Sequence, residues 1–255
     1  MRKPLIVFVL NILLLPWAFG CELTLRVPNV NFPPSFYKED GQWQGLSINI
    51  TRRVLTEVGC QLKFEELPFV RGILHLKQGK VDLMLHLTQT AERSEFIYFI
   101  GPMSFEKLVF FRNSALASDI DSLEDFTNLN YPIAIQRGIY YGETFKQLYQ
   151  NNQEFAANVV TVNNYSQLSR MLERKRISGF LFSSIHGRDL ADVRKQFKNV
   201  IVDSPVLEYR PIYFGFSKKT INQELLKKLQ NAYIKIKDLP EFIEMTRANR
   251  NKSLD

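Results

Sequence analysis

Hydrophobic and polar positions along the chain switch repeatedly between two periods. Leu23-Thr24-Leu25-Arg26-Val27 alternates residue by residue, the pattern of a strand with one buried face. Asn31-Phe32-Pro33-Pro34 follows as a stiff loop, because each proline fixes φ and removes a backbone donor. Lys38-Glu39-Asp40-Gly41 carries turn chemistry. From Leu46 the period lengthens. Leu46, Ile50, Val54 and Val58, with Ile48 and Leu55 beside them, predict a helix over 46–58 with one buried face, ended by Gly59. A second strand is predicted over 61–66, then a helix to Gln78 that Gly79 ends, then a buried strand over 81–85. Strand-helix-strand-helix-strand implies parallel pairing with right-handed crossovers. Residues 96–100 and 107–111 are two further strand candidates.

Between Asn113 and Asn130 serine, aspartate and asparagine become frequent, and the alternation then restarts. Strands are expected over 131–135, 158–162, 179–182 and 200–202, with helices over 142–151, 165–175 and 184–197 between them. An extended segment over 206–216, with Pro211 inside it, precedes closing helices over 221–237 and 240–247. The doubled alternation and the late extended return predict an α/β chain in two lobes joined by two crossing strands. Residues 21–112 with 204–255 form the first lobe and 113–203 the second. A ligand crevice lies between such lobes.

The N-terminus sets the compartment. Arg2 and Lys3, an apolar run over 5–15 broken only by Asn11, Pro16, and small residues at Ala18 and Gly20 have the layout of a secretory signal peptide over 1–20. The apolar run falls short of a membrane span. The expected mature protein begins at Cys21 in the periplasm. The whole chain carries a formal +7; two of those charges leave with the leader, and the mature balance is +5. The bases are scattered, and the densest group, 170–176, reads as a solvated helix end, so nucleic acid is not an expected partner. No cofactor is expected. The two cysteines, Cys21 and Cys60, have no CxxC or zinc spacing, and the three histidines, His75, His86 and His186, form no metal-ligand pattern. In an oxidising compartment the cysteines are expected to pair, since each lies at the start of one of two neighbouring parallel strands. A lipidated Cys21 is the competing reading, which Ala18 and Phe19 fit poorly.

Four stretches then carry a family resemblance. They are Phe32-Pro33-Pro34 through Gly41 to Gly45-Leu46-Ser47-Ile48-Asn49-Ile50; Gly79-Lys80-Val81-Asp82-Leu83 followed by Thr88-Gln89-Thr90-Ala91-Glu92-Arg93; Phe99-Ile100-Gly101-Pro102-Met103; and Ile133-Ala134-Ile135-Gln136-Arg137-Gly138. In this order the chain, over about residues 22–247, resembles the periplasmic solute-binding proteins of amino-acid-type ABC transporters, family 3. The resemblance implies the type II periplasmic-binding-protein fold, each lobe a mostly parallel sheet flanked by helices. It also implies a monomer that closes by a hinge on a small solute and delivers it to a membrane ABC permease.

Residue by residue, the family's carboxylate-binding arginine falls on Arg93 and its Ser/Thr partner on Thr88. Chemistry supports the first: a carboxylate losing water in a closing cleft needs a planar, permanently charged donor fork. The family's aromatic sandwich falls on Phe32 and Phe69. The aspartate with which amino-acid binders hold the ligand ammonium falls on Ser183, and no carboxylate is evident there. The Gly-Thr-Thr loop reads Gly138-Ile139-Tyr140-Tyr141, which puts Tyr140 in the cleft, and the acids of the Gly-Phe-Asp-x-Asp motif become Ser47 and Asn49. An ordinary α-amino-acid ligand is therefore in doubt. Arg71 and His86 also map near the crevice; Arg71 could take a second anionic group or lie on a helix surface. Two other functions share the fold: a sensory module that reports to a membrane sensor, and a periplasmic dehydratase of cyclic acids. The latter needs a general acid, for which His86 and Glu66 are the candidates. No acid/base pair with convincing spacing accompanies them, and no enzyme is expected.

Overall fold

The computed structural model of the chain describes residues 20–29, 31–113, 120–163, 165–184 and 200–243. The leader and the helix predicted over 184–197 therefore fall outside it, except that Ser184 ends a strand. His186 and the second half of the helix expected over 240–247 are outside as well.

The first half of the chain runs β1 (Cys21–Val27), β2 (Tyr37–Glu39), β3 (Gln42–Gln44), α1 (Leu46–Thr56), β4 (Cys60–Glu66), α2 (Phe69–Gln78), β5 (Leu83–Leu87) and α3 (Ala91–Ser94). Then β6 (Ile97–Asn113) crosses to the second half. There a 3₁₀ turn (Glu124–Asn128), β7 (Ile133–Gln136), α4 (Glu143–Asn151), α5 (Gln153–Ala157), β8 (Val159–Val162), α6 (Tyr165–Glu173) and β9 (Gly179–Ser184) follow. The long β10 (Val200–Ser217) returns, and α7 (Gln223–Ile236) packs on α1.

Eight strands form one sheet in the order β4-β1-β5-β10-β6-β9-β7-β8. The outer groups pair in parallel, β1 with β4 and β5, and β7 with β8 and β9. The two central strands are antiparallel to each other and to their outer neighbours β5 and β9. This is the two-lobed type II architecture that the doubled alternation predicts. Each lobe has its own core. Leu25, Ile48, Val54, Leu55, Phe214 and Leu229 belong to that of the first. In the second, Phe110, Phe126, Phe155 and Leu181 pack on one side and Phe111, Phe180 and Leu168 on the other.

Four sequence expectations need correction. The strand candidates over 96–100 and 107–111 are one strand, because Gly101-Pro102 passes through the ladder without ending it. The segments 200–202 and 206–216 likewise merge into β10, with a register shift between Asp203 and Glu208. The strand expected over 81–85 is placed at 83–87. There His86 adopts φ 58° where three steps on β5, Met84 to Leu87, face two on β10, Gly215 to Tyr213. The short α5 carries no long apolar stripe and was not predicted.

Candidate cleft between the lobes

Cys21 and Cys60 face each other at the first rung of the β1–β4 ladder, 4.3 Å apart at Cα, and are joined by a disulfide. The bridge ties the sheet edge at the end away from the cleft, since parallel strands bring their starting ends together and their carboxyl ends to the crevice.

At those carboxyl ends the chain after β5 turns into α3. Its N-cap is Thr90, whose Oγ1 accepts from the Arg93 amide at 3.2 Å. The capped turn presents the Arg93 side chain across the crevice. Nη1 donates to the Thr88 carbonyl on its own lobe at 3.0 Å, and Nη2 donates to the Gly138 carbonyl of the other lobe, also at 3.0 Å. Burial lowers the Arg93 pKa from its ordinary value; Glu106 and Glu92 offset part of this and Arg210 adds to it. The guanidinium stays charged, and two of its five N–H groups are spent on carbonyls.

Phe69, at the first turn of α2, is approached by two guanidiniums, with Arg93 5.8 Å and Arg26 5.7 Å from its ring centre. Arg26 is anchored by Nε to the Leu67 carbonyl at 2.8 Å, and burial lowers its pKa to about 10. Phe69 is thus a platform under Arg93. Phe32 is partly buried against the cores of both lobes, and its ring centre lies 6.4 Å from that of Phe182 on β9. The two phenylalanines named from the sequence are both at the lobe boundary.

Thr88 and Ser183 come together on a group the sequence reading missed. Glu106, 5% exposed on β6, accepts from the Thr88 hydroxyl at 3.0 Å through Oε1 and from the Ser183 hydroxyl through Oε2. Its Oε1 also takes the Nε of Arg210, the residue directly opposite on β10 and 6% exposed. The expectation that no carboxylate lies near Ser183 is therefore corrected: the acid sits on a crossing strand. Arg210 reaches on to the Tyr140 carbonyl through Nη2 and lies 5.3 Å over the Tyr140 ring. One network thus joins the loop after β5, both crossing strands, β9 and the loop before α4. A sequence signal existed. Along β6, Glu106 is in phase with Leu108 and Phe110; along β10, Arg210 is in phase with Ile212 and Phe214, so each is a buried charge in line with apolar neighbours.

The remaining named residues are less central. The Tyr140 hydroxyl donates to Glu143 at 3.2 Å, and burial with that acid raises its pKa. Tyr141 is buried, its hydroxyl accepting from the Gln136 amide at 2.8 Å. Arg71 is exposed on α2, in keeping with its helix-surface reading. His86 Nε2 bonds the Ser47 hydroxyl at 2.8 Å and its ring meets Phe36 edge-on at 5.2 Å. Glu66 is exposed and paired with Lys38. The anion-binding reading for Arg71, and the acid roles for His86 and Glu66, gain no support from these surroundings. Among the described residues no group of three or more metal-ligating side chains occurs.

A two-lobed α/β clamp, with an arginine bridging the crevice and a polar network on the crossing strands, defines the class of a solute-binding protein. The chain belongs to the bacterial extracellular solute-binding proteins, family 3, whose pattern matches residues 23–247. Among solved structures it is similar to the ancestral amino acid-binding protein AncCDT-1, a precursor of cyclohexadienyl dehydratase. The identity there is 21%, over 88% of this chain and 92% of that one, with a TM-score of 0.68. It is similar to a histidine kinase sensor domain with similarity to periplasmic binding proteins, at 15% identity, 88% and 93% coverage and a TM-score of 0.71. It is also similar to the substrate binding protein of an amino acid ABC transporter, at 19% identity, 88% and 96% coverage and a TM-score of 0.67. At such identities the likeness is one of fold. No curated protein sequence matches the chain.

Proposed function

We propose that the mature chain is a periplasmic solute-binding protein that captures a small organic acid between its lobes and delivers it to a membrane ABC permease. One observation carries this reading: the half-buried Arg93 guanidinium is fixed by one carbonyl from each lobe and lies over Phe69, with three N–H groups left over among the described residues. A donor fork held by both lobes is complete only when they meet, so a solute carboxylate on it stabilises the closed form. Thr88 and Ser183 hold Glu106 in place in this reading, and Phe32, with Phe69, walls the solute's body. The proposed bounds are 1–20 for the leader, 21–112 with 204–255 for the first lobe and 113–203 for the second. The family's transport role and the likeness to an ABC transporter's binding protein support delivery to a permease.

The sensor-domain likeness supports a second reading, in which the same closure is reported to a membrane sensor. The clamp chemistry is common to both. Catalysis is not part of the proposal, because His86 and Glu66 are engaged by Ser47 and Lys38. A thermal-shift screen of small organic acids against the purified protein tests the proposal. Stabilisation by an acid, and none by its neutral amide, is expected; stabilisation only by uncharged or cationic solutes contradicts it.

A further inference from the structure

Arg210 keeps one guanidinium nitrogen poorly satisfied. Nε is held by Glu106 and Nη2 by the Tyr140 carbonyl, but Nη1 is buried and has no hydrogen bond among the described residues. The acid nearest to it is Glu208, whose Oε2 lies 3.4 Å away as an ion pair. Glu208 is the first residue of β10 to rejoin the ladder after the register shift, and its side chain is 32% exposed. Its carboxylate lies against Gly142, where a Cβ would collide with it. Gly142 is the N-cap of the nine-residue α4 and supplies no side-chain cap, so the carboxylate occupies the positive end of that helix. A partly exposed acid thus fills an anion-binding position beside a buried donor that it does not hydrogen-bond.

Resting on the reading of Arg93 as the carboxylate fork, we infer that Arg210 Nη1 and the N-terminal end of α4 form a second anion subsite of the cleft. Glu208 is its internal stand-in, and the solute is a short diacid without an ammonium group whose second acid displaces Glu208. Three donors already occupy Glu106, so an incoming ammonium finds no free carboxylate there and meets the fields of Arg93 and Arg210 instead. The span suits a short diacid. Arg93 holds the Gly138 carbonyl and Arg210 the Tyr140 carbonyl, two residues apart on one loop, which is about 7 Å at full extension. Displacement costs little, because Glu208 gives up an ion pair without a hydrogen bond and returns to water.

Calorimetry on the purified mature protein, with succinate and glutarate against their monoamides and against glutamate, tests the inference. The native protein should prefer each diacid to its monoamide by on the order of tenfold, the worth of one charge-assisted hydrogen bond. Glu208→Gln removes the competing charge. It should tighten diacid binding several-fold and leave the monoamides unchanged. Equal binding of diacid and monoamide, tighter binding of glutamate than of glutarate, or unchanged or weaker diacid binding by Glu208→Gln would overturn it. Arg93→Ala separates the two levels. If it binds diacid and monoamide as well as the native protein does, the underlying reading fails. If neither diacid binds, while another acid binds only when Arg93 is present, this inference alone falls.

Discussion

Ser183 shows how a polar site can be rewired without losing its charge. The hydroxyl is too short to hold an ammonium by itself, but it orients Glu106, which the crossing strand delivers to the same place. Arg210 then neutralises that acid inside the cleft. A Ser183→Asp variant therefore sets two carboxylates side by side in a buried site, where both cannot ionise cheaply. The engineered pair should bind a proton more tightly when folded than when unfolded. Its destabilisation relative to the native protein is then small at about pH 4, near the unfolded carboxylate pKa, and grows toward about 1–3 kcal/mol by about pH 8. Urea unfolding at the two pH values checks this; a pH-independent difference would place Glu106 away from Ser183. Arg93 and Thr88 were named from the family resemblance together with their spacing after a buried strand, and both lie at the crevice. Glu106 and Arg210 were not, because their partnership depends on a register between residues 104 positions apart. Only a charge in phase with apolar neighbours on each strand hinted at it.

At the level of elements, the loop over 32–36 depends on Gly45, which sits at φ 122° before α1. A Cβ there would run into the Ser35 carbonyl, and the Leu46 amide bonds the Pro34 carbonyl at 2.9 Å. Gly45→Ala should thus cost about 1–3 kcal/mol in urea unfolding and disturb the Phe32 wall of the cleft. An unchanged midpoint would mean that the loop is not held this way. The Cys21–Cys60 bridge closes a loop with a sequence separation of 39 at the sheet's far edge. Replacing both cysteines by serine should lower stability by about 3–5 kcal/mol in the chain-entropy account while leaving solute affinity within about twofold. A large affinity loss in folded protein would tie the edge to the cleft. The longer described helices and, to within about two residues, the outer strands could be read from period; the short α3 and α5 could not. The crossing strands could not: Gly101-Pro102 looks like a strand end, but cross-strand partners on both sides carry the ladder through it.

For the molecule as a whole, two lobes with separate cores share, among the described residues, two continuous strands and the contacts made across the crevice. Arg93 to Gly138, Phe32 to Phe182, and the Glu106 network hold the lobes together as described. A solute that binds this arrangement better than an opened one shifts the balance by that difference in affinity. The central claim is that Arg93 grips the solute's acidic group. Calorimetry of the acid found by screening, on native, Arg93→Lys and Arg93→Ala proteins with matching circular dichroism, tests it most directly. The account predicts a loss of about 2–5 kcal/mol for Arg93→Ala, and poor binding by Arg93→Lys, which cannot reproduce a planar fork. Equal affinity for the native protein and a folded Arg93→Ala protein would contradict it.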